Sequence, residues 1–237
     1  MSGIVSITED RGLSGVVAVI PAYNEGEAIA GVVRDLVSRG VEVVVVDDGS
    51  RDETGRFALE AGATVLTHQI NRGQGAALQT GLTYARKLDG AEIIVTFDAD
   101  GQHDPNDLPG LVAPIRRGEA EIALGSRFLG ECKGATARRR IVLRAAVIFT
   151  RLTSRVRVTD AHNGYRAFSR KAAEHIELQL DRMAHASEII DQVRRSGLAF
   201  VEVPVTIHYT EYSRSKGQSS LAAVRIAFDY LLGKVFR

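Results

Sequence analysis

A nearly continuous run of β-branched residues, Val41–Val46, constrains the fold of this 237-residue chain more than any other stretch. A strand that is apolar on both faces has to be covered on both faces, as a central strand of a parallel sheet is. Shorter apolar runs at 16–20, 63–66, 93–97 and 121–124 alternate with helical patterns across short connections. This alternation predicts an α/β domain whose mostly parallel sheet is flanked by helices.

The composition excludes several classes of protein. Lysine plus arginine number 30 and aspartate plus glutamate number 29, so the overall charge gives no reason to expect a nucleic-acid partner. The single cysteine, Cys132, rules out an intramolecular disulfide and a cysteine-rich metal site, and it fits a reducing compartment. The N-terminus has no signal-peptide pattern, and no apolar run approaches the ~20 residues of a membrane span. We therefore expect a soluble or membrane-peripheral protein.

Two carboxylates follow the apolar run at 93–97 with one residue between them. In extended backbone alternate side chains share a face, so Asp98 and Asp100 would point to the same side. Two carboxylates held together repel unless a positive charge lies between them, and a hard divalent cation with oxygen ligands suits that position. Gln102 continues the alternation and would add a neutral oxygen. The alternative interpretation is a solvated turn at the end of a strand.

Polar clusters follow three of the predicted strands, at 21–25, 47–50 and 98–102. Since ligands of open α/β sheets bind beyond the carboxyl ends of the strands, the three clusters together favour a binding site over independent turns. Gly73 and Gly75 resemble the start of a dinucleotide-binding fingerprint, but the third glycine is missing and the pair follows the wrong strand for that fold. A tight turn into a helix explains these glycines as well as ligand contact does.

Five segments in a fixed order resemble those of family 2 glycosyltransferases. They are Pro21-Ala22-Tyr23-Asn24-Glu25, Asp47-Asp48-Gly49-Ser50, Asn71-Arg72-Gly73, Asp98-Ala99-Asp100-Gly101-Gln102-His103 and Gly125-Ser126-Arg127. Residues 163–168, Asn-Gly-Tyr-Arg-Ala-Phe, resemble the dolichol-phosphate mannosyltransferase branch of that family. The resemblance implies a GT-A fold with a Rossmann-like sheet in one domain at 14–210, followed by a C-terminal helical extension at 211–237. It also implies a nucleotide-sugar donor of the GDP-mannose or UDP-glucose type, Mg²⁺ or Mn²⁺ as cofactor, and inversion at the anomeric carbon.

The resemblance also implies roles for individual residues. The donor nucleoside would be held by Pro21, Tyr23, Glu25 and Asp48. The metal and the donor diphosphate would be held by Asp98, Asp100 and Gln102. Packing, turn and helix-cap roles remain open alternatives for Pro21, Tyr23 and Glu25. Arg127 matches a position that holds the acceptor phosphate, and we assign Arg139 the same role within Arg138–Arg140, where no motif fixes the choice.

The resemblance does not fix a catalytic base, because the family's common Glu-Asp pair is not spelled out in this sequence. Asp160 and Glu188 are the candidates, but Asp160 could instead orient the donor sugar or cap a turn, and Glu188 could partner a helix dipole. A phosphate acceptor is anionic at neutral pH and needs no base, whereas a sugar hydroxyl requires one. The predicted catalytic residues are Asp98, Asp100, Arg127, Asp160 and Glu188.

A segment rich in arginine favours the phosphate acceptor. Between Lys133 and Arg157 there are eight basic residues and no acidic one, interleaved with apolar residues. This pattern predicts a basic amphipathic helix that lies on an anionic membrane or collects acceptor phosphate, with an ordinary core-packed helix as the alternative. We predict transfer of a hexose to a polyprenyl or dolichyl phosphate. The alternative is transfer to a sugar hydroxyl in cell-envelope or extracellular polysaccharide synthesis.

The C-terminal segment predicts contacts with both the donor and the membrane. A polar loop after residue 210 carries Arg214 and Lys216, which would meet the donor diphosphate if the loop closes over it; an exposed linker is the alternative. Apolar residues at helical spacing follow in 221–235 and form a stripe for the core, a membrane surface or a partner helix. The predicted location is the cytoplasmic face of a membrane, where the membrane surface or a small membrane-spanning partner holds the protein.

Overall fold

The computed structural model of the protein places Val43, Val44 and Val45 in a strand that is buried on both faces. Val43 and Val45 belong to one apolar cluster with Leu36 of the preceding helix, and Val44 belongs to a second cluster with Leu82 of a later helix. The three valines are at most 2% exposed, and burying such a side chain stabilises the fold by about 1.5–3 kcal/mol. The apolar run is therefore a strand with a helix layer on each side.

The structure describes residues 12–26, 28–134, 141, 144–145, 147–148, 151, 156–180 and 185–209. Within this part of the chain no helix is both long and apolar enough to cross a bilayer. The predicted division between a domain at 14–210 and an extension at 211–237 falls at the end of the described residues and stays a prediction. Three predicted site residues lie outside the described ranges: Arg139, Arg214 and Lys216.

The strands form one sheet. They are β1 (Val16–Ala22), β2 (Glu42–Asp47), β3 (Thr64–Thr67), β4 (Ile93–Thr96), β5 (Ile122–Lys133), β6 (Arg166–Ser169) and β7 (Phe200–His208). Across the described ranges their order is β3-β2-β1-β4-β6-β5-β7. Parallel pairing joins β1 to β2 and β4, β2 to β3, and β5 to β7, whereas β6 runs antiparallel to both of its neighbours. The prediction of a mostly parallel α/β sheet is confirmed, and the carboxyl ends of β2, β1 and β4 lie side by side.

Helices connect the strands. They are α1 (Ala28–Ser38), α2 (Thr54–Glu60), α3 (Gln74–Ala85), α4 (Leu108–Arg116), α5 (Arg170–Glu174) and α6 (His185–Ser196). A 3-10 turn at Pro105–Asp107 precedes α4. The Asp104 side chain caps this turn by accepting from the Asn106 N–H at 2.9 Å, so the tighter turn comes first and the α-helix begins at Leu108.

The longest strand corrects the prediction of a basic helix from Lys133 to Arg157. β5 continues to Lys133, which is paired with His208 of β7, so this end of the segment is strand. Residues 156–158 are not helical either. The described residues of the segment that are helical are 141, 144, 145, 147, 148 and 151. The strand partner of Lys133 is distant in the sequence, which is why the local charge pattern could not reveal the pairing.

Candidate active site

The loops that follow β1 and β2 are tied to each other. The Asn24 N–H donates to Ser50 Oγ at 2.9 Å, and the Arg51 N–H donates to Asn24 Oδ1 at 2.8 Å. The Glu25 N–H donates to Thr54 Oγ1 at 2.9 Å. Asn24 is the one non-glycine residue of the described chain in the left-handed region, with φ of 52°, a conformation that asparagine tolerates better than most residues. The two loops therefore form one hydrogen-bonded rim at the carboxyl end of the sheet.

Three of the predicted donor residues differ in their exposure. Pro21 is buried within β1, Glu25 is partly exposed in the loop, and Tyr23 is 39% exposed. An exposed aromatic ring at the carboxyl end of a central strand is accessible to a ligand, whereas Pro21 contributes to the shape of the strand end. Their roles in donor binding stay predictions.

Asp48 is 2% exposed, and its carboxylate is occupied by the loop that leads into α3. Oδ1 accepts from the Arg72 N–H at 2.9 Å, and Oδ2 accepts from the Gly73 N–H at 2.6 Å. Nδ1 of His68 bonds to Oδ1 at 2.7 Å. Asp48 thus fixes the loop that presents the N-terminus of α3 to the rim. A direct contact of Asp48 with the nucleoside stays a prediction.

Asp98 lies two residues beyond β4, which ends at Thr96, and Asp100 lies within the turn that follows. The alternation argument for their shared face is therefore wrong, because the chain turns at residues 99–101. Burial and the negative charge of Asp98 raise the pKa of Asp100 above its usual value. The Gln102 N–H donates to Asp100 Oδ1 at 3.0 Å, and the Gln102 side-chain amide donates to Oδ2. The turn thus joins Asp100 to Gln102, and the role of these two residues and Asp98 as metal ligands stays a prediction.

His103 orients Asp98, a role that sequence reasoning missed. The Asp98 N–H donates to Nδ1 of His103 at 3.2 Å, which places the ring proton on Nε2, and Nε2 lies 3.2 Å from Asp98 Oδ2. The ring is stacked on Tyr165 at a centroid distance of 4.7 Å and meets the edge of Phe97 at 4.9 Å. His103 is 4% exposed, whereas the Asp98 side chain remains 31% exposed. The available signal was the position of His103 in the same sequence segment as the two carboxylates.

Gly164 allows a close approach of the loop before β6 to Asp98. A β-carbon at position 164 would lie 2.6 Å from Asp98 Oδ1 and 2.7 Å from Oδ2. The Thr96 hydroxyl donates to the Gly164 carbonyl at 2.5 Å and holds this loop against β4. From α3, Nε2 of Gln74 donates to Asp98 Oδ1 at 3.3 Å. Three separate elements therefore determine where the Asp98 carboxylate lies.

The charges of the carboxylate pair fit a hard divalent cation. Burial raises the pKa of Asp98, and its interactions with His103 lower it. The charges of His185 and Arg127 lower it further, so that the net pKa is below the usual value. No group of three or more His, Cys, Asp or Glu side chains is placed to hold a metal within the described ranges. A cation at Asp98 and Asp100 would thus take two carboxylates from the protein and keep open positions for phosphate oxygens and water, as Mg²⁺ does.

Arg127 is buried in an ion pair with Asp160, and the two residues are 8% and 3% exposed. Nε of Arg127 donates to Asp160 Oδ2 at 2.6 Å, and Nη1 donates to the Tyr209 hydroxyl at 2.7 Å. Nη2 donates to the His162 carbonyl at 3.2 Å. Burial lowers the pKa of Arg127, but Asp160 and Tyr209 raise it by more. The predicted acceptor-phosphate residue is therefore a charged, oriented guanidinium.

A second buried arginine, Arg166, adds positive charge beside this pair. Its Nη2 donates to the Ala161 carbonyl at 3.0 Å, and its side chain is 3% exposed. Burial lowers the pKa of Arg166 to about 10 although Asp160 and Asp98 oppose the shift, so the group stays charged at pH 7. Burial and the charge of Arg166 lower the pKa of His162 to about 4, so this ring is neutral. Arg166 is thus a second buried positive charge near Asp160 and Asp98.

Both candidate bases are engaged by the protein. Glu188 lies in the first turn of α6, is 2% exposed, and accepts from the Leu180 N–H through Oε2 at 2.9 Å. Asp160 binds Arg127 through Oδ2 and accepts from the His162 N–H through Oδ1 at 3.3 Å. The structure thus places both carboxylates in contacts that hold the backbone and an arginine.

Comparison with known proteins gives a family and several relatives. The family model described as Glycosyl transferase family 2 matches residues 17–177. The chain is 39% identical over 226 residues to an uncharacterized protein of Methanocaldococcus jannaschii, covering 93% of each chain. It is 33% identical to the UDP-N-acetylglucosamine–dolichyl-phosphate N-acetylglucosaminyltransferase of Methanococcus voltae, over 92% of this chain and 95% of that protein. It is also 33% identical to the polyprenol monophosphomannose synthase of Mycolicibacterium smegmatis, over 85% of this chain and 80% of that protein.

Among solved structures, the fold is similar to that of glucosyl-3-phosphoglycerate synthase of Mycobacterium tuberculosis, crystallised in complex with Mg²⁺ and uridine diphosphate. The TM-score is 0.65 at 24% sequence identity, and the match covers 92% of this chain and 79% of that chain. The likeness establishes the fold.

Proposed function

Because the chain belongs to glycosyl transferase family 2, we propose that it moves a hexose from a nucleotide sugar to the phosphate of a polyprenyl phosphate, with inversion at the anomeric carbon. The chain is a glycosyltransferase by family. Support for the acceptor comes from the two relatives whose names contain dolichyl phosphate and polyprenol monophosphomannose. Those names differ in the sugar, so the proposal includes donors of both the GDP-mannose and the UDP-glucose type.

The proposal of a phosphate acceptor rests on the observation that both candidate bases already bond to other groups of the protein. Asp160 is paired with Arg127, and Glu188 holds the N–H of Leu180. A sugar hydroxyl must lose its proton to a base as it attacks, whereas a phosphate oxygen is already anionic at neutral pH. In the proposed step, an acceptor phosphate oxygen bonds to the anomeric carbon while the bond from that carbon to the nucleoside diphosphate breaks. The products are a polyprenyl hexosyl phosphate and a nucleoside diphosphate, and no proton is removed from the acceptor.

The donor side of the proposed site contains the segment at residues 98–102, called the carboxylate turn below. Mg²⁺ or Mn²⁺ would be held there by Asp98, Asp100 and Gln102, together with the donor diphosphate. Such a cation supplies positive charge where negative charge develops on the leaving group. The Mg²⁺ and uridine diphosphate in the crystal of the M. tuberculosis synthase support a metal in a site of this fold. The nucleoside would be held by the rim residues Pro21, Tyr23, Glu25 and Asp48.

The acceptor side of the proposed site contains Arg127. Nη1 and Nη2 each donate one hydrogen within the described chain, to Tyr209 and to His162, and each carries a second hydrogen for a phosphate oxygen. The ion pair with Asp160 fixes the plane of the guanidinium, and the charge of Arg166 adds to the local potential. Arg139 remains the predicted second contact of the acceptor phosphate.

A screen of donors against acceptors tests this function. UDP-glucose, UDP-N-acetylglucosamine and GDP-mannose are each combined with a short polyprenyl phosphate and with oligosaccharides that offer hydroxyl groups, in the presence of Mn²⁺. We expect at least one donor to give a polyprenyl hexosyl phosphate and the oligosaccharides to stay unmodified. Transfer to hydroxyl groups alone would overturn the proposed acceptor.

A face of exposed isoleucine and arginine supports a peripheral position on the cytoplasmic surface of a membrane. Ile141 and Ile148 are 68% and 57% exposed, and their spacing of about two helical turns places them on one face. Arg144 and Arg151 follow each isoleucine by three residues and are also exposed, whereas Val147 is 6% exposed. Apolar side chains flanked by arginines suit the interface of an anionic membrane.

We expect the protein to sediment with anionic vesicles at low salt, and less so at high salt because ions screen the arginines. The double variant Ile141→Ser/Ile148→Ser should bind at least tenfold more weakly, since each methylene buried in the membrane contributes about 0.8 kcal/mol and the variant removes several of them. Leu59→Ser is the matched control, because Leu59 is 63% exposed but lies on α2. If the wild type stays in the supernatant at low salt, direct docking is wrong and a membrane-spanning partner is required.

A further inference from the structure

Glu202 of β7 is not one of the residues assigned to the donor, the metal or the acceptor, yet its carboxylate holds the loop that carries Asp160. Oε1 accepts from the Thr159 N–H at 2.7 Å and from the Asp160 N–H at 3.2 Å. Oε2 accepts from the same Thr159 N–H at 2.9 Å. The Thr159 hydroxyl donates to Oε1 at 2.7 Å. One carboxylate therefore accepts from two successive backbone N–H groups and from a side-chain hydroxyl.

The direction of each hydrogen bond in this network follows from the groups present. A carboxylate only accepts, so the Thr159 hydroxyl gives its single hydrogen to Glu202. The contact of 2.7 Å between the hydroxyls of Ser126 and Thr159 therefore has Ser126 as its donor. Ser126 Oγ in turn accepts from the N–H groups of Phe128 and Leu129 at 3.2 and 3.3 Å. The network connects β7, the loop before β6 and the middle of β5.

Arg127 is positioned from two sides by this network. Its neighbours in the chain, Ser126 and Phe128, are part of it. Its ion-pair partner, Asp160, is attached to Glu202 through its own N–H. Asp160 Oδ2 also accepts from the Arg127 backbone N–H at 3.2 Å, in addition to Nε at 2.6 Å. A displacement of Asp160 would consequently move the guanidinium.

We propose that Glu202 is a positioning residue for acceptor binding, which holds Thr159 and Asp160 so that the Arg127 guanidinium meets the acceptor phosphate. Glu202 acts through Arg127 and needs no contact with the substrate. The inference rests on the proposed function, because it assigns the acceptor phosphate to Arg127.

The variant Glu202→Gln tests the proposal, because it keeps the side-chain size but replaces one of the two oxygens that face the Thr159 N–H with an NH₂ group. We expect the KM for a short polyprenyl phosphate to rise about tenfold, with kcat and the donor KM changed by less than about twofold, because a misplaced binding group weakens binding of its own ligand. Amide hydrogen exchange should accelerate in peptides that contain residues 127 and 159–160. Glu42→Gln is the matched control, since Glu42 is exposed at the start of β2.

A second pair of variants at Thr159 keeps the test decisive if Glu202→Gln fails to fold. Thr159→Val removes the hydroxyl and should raise the acceptor KM, whereas Thr159→Ser keeps the hydroxyl and should behave as the wild type. An unchanged acceptor KM in both Glu202→Gln and Thr159→Val would overturn the proposal. A fall in kcat and in the melting temperature, together with equal rises in both KM values, would overturn it too, because this result would indicate a purely structural role. If the wild type does not use polyprenyl phosphate, the proposed function fails, and hydrogen exchange still decides whether Glu202 positions Arg127.

Discussion

The Asp98→Asn variant is expected to bind the donor nucleotide about a hundredfold or more weakly in the presence of the metal. Removal of even a supporting group around a metal lowers metal affinity or activity 10–100-fold, and Asp98 is a direct ligand in the proposed site. Asp100→Asn should have an effect of the same size. The fold should persist in both variants because asparagine keeps the size of the side chain, and in Asp100→Asn the loss of one charge also relieves the repulsion from Asp98. The measurement is calorimetry of nucleoside diphosphate binding with Mn²⁺.

Asp89→Asn is the matched control for this prediction, since Asp89 is an exposed aspartate that lies before β4. It should bind the nucleoside diphosphate as the wild type does. Unchanged affinity in Asp98→Asn and Asp100→Asn would eliminate the carboxylate turn as a metal site.

The Gly164→Ala variant is expected to weaken Mn²⁺-dependent binding of nucleoside diphosphate by about tenfold to a hundredfold. The new β-carbon would lie 2.6 Å from Asp98 Oδ1, so either the carboxylate or the loop has to move, and a displacement of about 1 Å in a site can cost a hundredfold. Gly164 has no positive φ, so the loss would come from contact with Asp98 and not from backbone strain.

Gly110→Ala is the control for the same substitution, because a β-carbon there meets nothing within 4 Å and Gly110 lies inside α4. Alanine is a better helix former than glycine by about 1 kcal/mol, so this variant should keep full binding and unfold at a slightly higher temperature. Full metal-dependent binding by Gly164→Ala would mean that the Asp98 carboxylate is not held in place by this loop.

Much of the sheet and of the site is formed by residues that are close together in the sequence, and this part could be predicted. The run around Val44 becomes a strand covered on both faces because its apolar character requires that environment. Asp98 and Asp100 are only two residues apart, but the chain turns at residues 99–101 instead of continuing in the extended backbone assumed from the sequence. Here the argument for the geometry was wrong, and the metal site itself stays a prediction.

The parts that could not be predicted depend on contacts between distant residues. The oxygens of Asp48 hold the N–H groups of Arg72 and Gly73, a pairing that no local pattern reveals, while its contact with the nucleoside stays a prediction. Arg127 and Asp160 are 33 positions apart, so the sequence alone could not show that they form an ion pair. Lys133 lies in a strand because β7 pairs with it, despite a charge pattern that favours a helix.

The central claim is transfer to a phosphate, and a matched pair of acceptors tests it most directly. The initial rate of hexose transfer is measured with a short polyprenyl phosphate and with the same polyprenol lacking the phosphate, each with Mn²⁺ and with a chelator. We predict transfer to the phosphate alone, only with the metal, and with an inverted anomeric configuration in the product. Equal transfer to the polyprenol would contradict the account. So would an enzyme that glycosylates a sugar hydroxyl but transfers hexose to neither lipid.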